Sequence, residues 1–273
     1  MLKASFYLQK NLIYDIIRHQ VIDMLEIPRI NLTRREYKKL IRSSHFNDGA
    51  ESIICKTPQK DTLYKLFDYE TEWDPELAYQ NKKEKIIRLY NNPISYSVLP
   101  ISLIDVDGIF AGYEMTYDRK DVAVSQLDLT FEQKISYLTK VRRILTYYER
   151  LGIVYGDIKS HNTLINRRTG QVKFCDIDNI KIGDNPIDVM TEELFDFTDE
   201  RDSIDSMADI YMYNLLTLEQ IAYPGETYGD ILAKLRDGLY PLSFSKEAHR
   251  TLDSMLSPRK FTGETIVQYA KKM

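Results

Sequence analysis

The chain has 273 residues, 43% hydrophobic and 29% charged, a composition that suits a globular protein and excludes a disordered one. Lys and Arg number 37 against 41 Asp and Glu, a net charge of −4, so a nucleic-acid-coating surface is not expected. Two cysteines, Cys55 and Cys175, cannot build a disulfide framework or a zinc site, and they suit a reducing cytosol.

Lys10, Asp15, Arg18 and Asp23 break the apolar N-terminus before any run reaches signal or membrane-spanning length, so a cytoplasmic chain without a membrane segment is expected. Residues 8–26 carry a helical mixture of Leu, Ile, Tyr and Met and read as an N-terminal helical cap. Tyr37–Arg42, Ser52–Lys56 and Thr62–Phe67 read as strands around turns at Asn47-Asp48-Gly49 and Pro58–Asp61. Asp74-Pro75-Glu76 starts a helix, with a capping Asp and Pro in the first turn, that should run to about Tyr90. Ser95–Ile104 and Ile109–Tyr117 read as two further strands joined at Asp107-Gly108.

Beyond Tyr117 the pattern turns mainly helical. Thr130 and Gln133 form a capping box ahead of an apolar stripe through Ile135, Leu138, Val141, Leu145 and Tyr148, ending at Gly152. Residues 207–223 are apolar nearly all round, which predicts a buried helix. A strand-rich first half and a helical second half suggest an α+β fold with a cleft between them, divided as 1–117 and 118–273.

Between the two helices, Val154–Ile165 and Val172–Asp176 flank a turn at Arg167-Arg168-Thr169-Gly170 and predict a hairpin centred on Thr169. Asn162 and Asp176 lie seven positions on either side of Thr169, so they should meet at one end of the ladder. Their amide oxygen and carboxylate make a hard oxygen site suited to Mg²⁺, which takes few protein ligands together with phosphate oxygens. Asp157 stands five residues before Asn162 on the same loop.

Asp157-x-Lys159-x-x-Asn162 resembles the catalytic loop of the protein-kinase-like superfamily, and Asp176-Ile177-Asp178 stands where that family has Asp-Phe-Gly. The closest resemblance is to small bacterial-type serine/threonine kinases. It implies a bilobal fold, with an antiparallel N-lobe sheet plus one helix and a mainly helical C-lobe. It also implies an ATP- and Mg²⁺-dependent enzyme (Mn²⁺ as an alternative metal), acting as a monomer on Ser or Thr hydroxyls of proteins. Carried over by position, Asp157 orients and deprotonates the acceptor hydroxyl, Lys159 neutralises the transferring group, and Asn162 and Asp176 hold the metal. Lys65, alone in an apolar strand, resembles the lysine that grips the phosphates. Its expected helix partner is Glu84, with Glu76 or a solvated Glu84 as alternatives. Gly49 stands in a degenerate nucleotide-covering loop, with an ordinary turn as the alternative, and residues 114–117, including Met115 and Tyr117, resemble the adenine-binding hinge. Glu193 and Arg259 resemble a structural ion pair, and Asp209 the buried aspartate that caps the catalytic-loop backbone. The resemblance covers about Leu40 to Arg259.

Tyr155-Gly156 replaces the family's His-Arg, which removes an arginine able to hold an activation-segment phosphate. Asp178 replaces the family's glycine and is expected to be solvated, to cap a turn or to assist a second metal ion. From Asp176 to Glu193 inclusive the segment spans 18 residues with Thr191 its one Ser or Thr, which suggests an enzyme that needs no phosphate to become active. Two other readings stay open: a small-molecule kinase of the aminoglycoside or choline type, which Gly156-Asp157 suits, and a nucleotide-binding pseudokinase scaffold, which the degenerate glycine loop suits. Transfer of AMP also fits such a fold.

Overall fold

A computed structural model describes residues 26–48, 52–68, 72, 74–195, 204–257 and 261–271. The expected N-terminal cap, Gly49 and Arg259 therefore lie outside the described residues. The first half is a mixed sheet with helices. Strand β1 (Arg29–Leu32) leads into helix α1 (Arg34–Ser44), then β2 (His45–Asp48), β3 (Ser52–Lys56) and β4 (Thr62–Phe67). Helices α2 (Pro75–Ala78) and α3 (Gln80–Asn91) follow, then β5 (Pro100–Val106) and β6 (Ile109–Thr116). Among the described residues these strands form one six-stranded sheet in the order β1-β5-β6-β4-β3-β2.

The sheet is not wholly antiparallel as expected: β1 runs parallel to β5, Arg29 beside Leu103, and Arg29 reaches Asp105 at 2.6 Å. The strand expected at Tyr37–Arg42 is part of α1. Its start is a reciprocal cap, Thr33 N–H donating to Glu36 Oε2 (2.8 Å) and Glu36 N–H to Thr33 Oγ1 (3.3 Å). Tyr37, Leu40 and Ile41 then fall on one helical face, and the Tyr37 hydroxyl donates to the Phe67 carbonyl at 2.9 Å, seating the helix on the sheet.

Asp74 caps as expected, its carboxylate accepting from Leu77 N–H at 3.2 Å, but the predicted single helix breaks at Tyr79. Strand β5 starts later than expected because residues 96–98 pair elsewhere. Tyr96 takes a positive φ, Phe174 N–H donates to Tyr96 O and Val98 N–H to Phe174 O, tying the sheet to the second half.

The second half comprises β7 (Asp121–Ala123), α4 (Phe131–Arg150), β8 (Ile153–Val154), β9 (Thr163–Asn166), β10 (Val172–Phe174) and β11 (Lys181–Ile182). Helices α5 (Glu192–Phe195), α6 (Ser206–Ile221), α7 (Tyr228–Arg236) and α8 (His249–Met255) complete it. Thr130 and Gln133 make both bonds of the capping box. Residues 208–218 of α6 are all buried, and α6 packs on α4. The protein is thus α+β. Among the described residues no helix is long and apolar enough to cross a membrane.

Strand β6 passes β4 at Gly112, opposite Leu66, with φ +155°, and a Cβ there would land on the carbonyl oxygen of Lys65. Glycine is required because two backbones touch at that point. Gly112→Ala should lower the unfolding free energy by roughly 3 kcal/mol, as overpacking between fixed backbones does. An unchanged urea midpoint would show that β4 has slack at Lys65.

Candidate functional site

Strand β4 turns Leu63, Lys65 and Phe67 to one face, and Lys65 is as buried as its apolar neighbours. A buried ammonium needs anions, and two come from the far side of the chain. Lys65 Nζ bonds Asp176 Oδ1 and lies 2.6 Å from Asp178 Oδ1. Burial alone favours the neutral amine, but the two carboxylates outweigh it and raise the Lys65 pKa.

The hairpin β9–β10 delivers them. Its register pairs Phe174 with Thr163, and Cys175 N–H donates to Asn162 O at 3.0 Å, so Asn162 faces Cys175 and not Asp176 as expected. The turn is the reason. Asn166 O accepts from Gly170 N–H, Asn166 N–H donates to Gln171 O, and Asn166 Oδ1 accepts from Arg168 and Thr169 N–H. This centres the turn between Arg168 and Thr169 and slips the ladder by one residue. Asp176 still sits beside Asn162, in a left-handed conformation (φ 61°, ψ 43°) that leads into the short 3₁₀ turn Ile177–Asn179.

Asn162 Nδ2 donates to Asp157 Oδ2 at 2.6 Å and to Asp157 O at 3.2 Å, which leaves the amide oxygen as its acceptor for a cation. Lys159 Nζ lies 2.8 Å from Asp157 Oδ1. Asp157, Lys159, Asn162, Asp176, Lys65, Met115 and Tyr117 all line one cleft of about 790 Å³. Among the described residues no group of three or more His, Cys, Asp or Glu is placed to hold a metal ion. The donors present, Asn162 and Asp176, are hard oxygens and suit a cation that takes its remaining ligands from phosphate and water.

The loop holding Asp157 is fixed from below. Asp209 of α6 accepts from Tyr155 N–H (2.9 Å) and Gly156 N–H (2.8 Å). Tyr155 stacks on Phe174 with ring centroids 4.4 Å apart, and its hydroxyl donates to Cys175 O. Gly156 has φ 76°, and a Cβ there would strike Ile187. Burial pushes the Cys175 thiol up to about 12, the signature of an unreactive cysteine.

Glu84 requires correction. It is exposed on α3, accepting from Gln80 (3.0 Å) and from Asn185 (3.1 Å), and does not pair with Lys65. The expectation counted helical phase from Leu77 through Tyr79, where the helix breaks. Restarted at Gln80, the buried face is Lys82, Lys85, Ile86 and Leu89, and Glu84 falls off it. Asp178, for which a solvated position, a turn cap or a second metal ion was expected, is not solvated: it is buried and accepts from Lys65, Tyr113 and Lys82. Sequence reasoning missed Lys82 and the neighbouring pair Lys85–Asp188 (2.8 Å). Their one sequence signal was the i, i+3, i+4, i+7 spacing with Ile86 and Leu89.

No protein-family model matches the chain. An alignment 133 residues long, which covers 43% of the chain, shows 28% identity to a "probable serine/threonine-protein kinase" of Dictyostelium discoideum. The match spans 10% of that relative's length.

Burial lifts the Asp209 carboxyl to about 7 from an ordinary 3.8, against the pull of the two backbone N–H groups. The folded protein therefore keeps a proton that the unfolded chain releases above about pH 4. This contribution to stability is complete below the unfolded value and is lost as pH rises through about 7. The wild-type unfolding free energy, measured against Asp209→Asn, should fall between about pH 4 and 8 by at most about 1.4 kcal/mol per pH unit. A difference that stays flat across that range would remove Asp209 as the titrating group.

Proposed function

We propose that the chain is a bilobal, protein-kinase-like phosphotransferase, with lobes at 1–117 and 118–273, that transfers the γ-phosphoryl group of ATP to Ser or Thr hydroxyls of proteins. One observation carries this reading: a buried lysine from the sheet half and Asp157, Lys159, Asn162 and Asp176 from the helical half line a single cleft. The similarity to a probable serine/threonine kinase supports it, over less than half of the chain.

Each group has a role that its surroundings suit. Lys65 draws the nucleotide's phosphates to the sheet side. Asp157, held by Asn162 and Lys159, accepts the proton of the attacking hydroxyl as its oxygen bonds to phosphorus and ADP leaves. Lys159 offsets negative charge on the phosphoryl group in flight. Asn162 and Asp176 would hold Mg²⁺, which when bound neutralises phosphate charge. Met115 and Tyr117 also line the cleft and are assigned to adenine.

With γ-labelled ATP, Mg²⁺ or Mn²⁺ and a protein panel, label should appear on protein. Label on small metabolites alone would favour the small-molecule kinase, and binding without transfer the scaffold. Asp157→Asn should cut turnover by roughly 10²- to 10⁴-fold with little change in ATP affinity, because Asp157 acts on the acceptor. Normal turnover in this variant would take Asp157 out of the chemistry. Separately, Mg²⁺–ATP at about 100 times its Kd should stabilise wild type by about 2.7 kcal/mol and Asp176→Ala far less. Equal melting shifts for the two proteins would overturn the metal assignment.

A further inference from the structure

Two carboxylates hold Lys65, and they differ in environment. The Asp176 side chain is 37% exposed, whereas that of Asp178 is 2% exposed. Asp178 accepts from donors on three elements: Lys65 of β4 at 2.6 Å, Tyr113 of β6 at 2.9 Å and Lys82 of α3 at 3.4 Å. Lys82 is itself 3% exposed and lines the same cleft. A buried carboxylate so surrounded has no water to exchange with, so its lysines have fixed positions. Asp176 can turn to another cation and release Lys65; Asp178, buried among its three donors, stays to hold it.

We propose that Asp178 is the positioning residue of the nucleotide site, fixing Lys65 for the phosphates in place of a helix glutamate, and that Lys82 is the second cation of that site. This rests on the nucleotide-binding reading above. The lining of the cleft supports it: Lys65 and Lys82 both border it, so a polyphosphate entering it meets two ammonium groups. Helix α3, which in this chain offers a cation where an anion was expected, gains a direct part in nucleotide binding.

The test is a thermodynamic cycle on Mg²⁺–ATP affinity by calorimetry, using wild type, Lys65→Met, Asp178→Asn and the double variant, with folding checked by thermal melting. Lys65→Met should weaken binding about tenfold in the wild-type background and less than about twofold in the Asp178→Asn background, since an unheld Lys65 has little left to lose. Lys82→Met should also weaken binding, by roughly threefold. Should Asp178→Asn not fold, the charge-neutral pair Asp178→Asn/Lys82→Met takes its place in the same cycle. Additive effects of Lys65→Met and the Asp178 replacement would overturn the positioning role, and unaltered affinity in Lys82→Met would overturn the second cation. Failure of the wild type itself to bind Mg²⁺–ATP would instead defeat the nucleotide reading on which both stand.

Discussion

The buried carboxylate of Asp178 fixes the relation between the parts of this protein. Its donors come from β4, β6 and α3, and it follows closely on the β9–β10 hairpin, which the loop bearing Asp157 and Asn162 enters. Desolvating a carboxylate costs several kcal/mol, recovered only if its partners are well placed. Burial works against ionisation here, yet Lys65 and Lys82 hold the Asp178 carboxyl well below the usual carboxylate range. An arrangement of this kind tolerates little drift, because removing one partner of a buried pair typically costs about 3–5 kcal/mol. The sheet, the helix and the hairpin are thereby held to one geometry.

The segment that follows is held by the same physics. Lys85, fully buried on α3, lies 2.8 Å from Asp188, and Asn81 donates to Asp188 and to the Pro186 carbonyl. Asn179 exchanges two bonds with Val189, and the Thr191 hydroxyl is buried at the cleft wall. Gly156 belongs to this arrangement. Its positive φ and the side chain of Ile187 leave no room for a side chain where kinase-like loops carry arginine. Buried polar contacts thus tie this segment to α3.

Signals complete within a few residues were legible in the sequence, and those that needed a distant partner were not. Ser52–Lys56 and Thr62–Phe67 form strands with the bounds read from their composition, and the Thr130 cap and the buried character of α6 followed from local pattern. Helix α1 was also locally signalled, by Thr33 and Glu36, but Tyr, Leu and Ile in a short run look alike in strand and helix. The hairpin was legible and its register was not, because register depends on which turn hydrogen bonds Asn166 makes. Lys82 and Asp178 were invisible for a different reason. A buried charged residue differs from a solvated one only by a partner that lies 96 residues away in the chain.

Two aspartates two positions apart therefore carry different work, and their surroundings explain the division. Asp176 is partly open to the cleft, so its contact with Lys65 can open at modest cost, with solvent covering the freed oxygen. Asp178 has no such recourse and so keeps the same partners throughout. A site that must receive a charged ligand needs one of each kind. The exposed carboxylate gives the reversible contact, and the buried one keeps Lys65 in place while that contact changes hands. Placed the other way round, with the solvated group two residues later, Lys65 would have no fixed anion when the first was occupied. Its buried ammonium would then be left to the low-dielectric floor of the sheet, which burial alone disfavours.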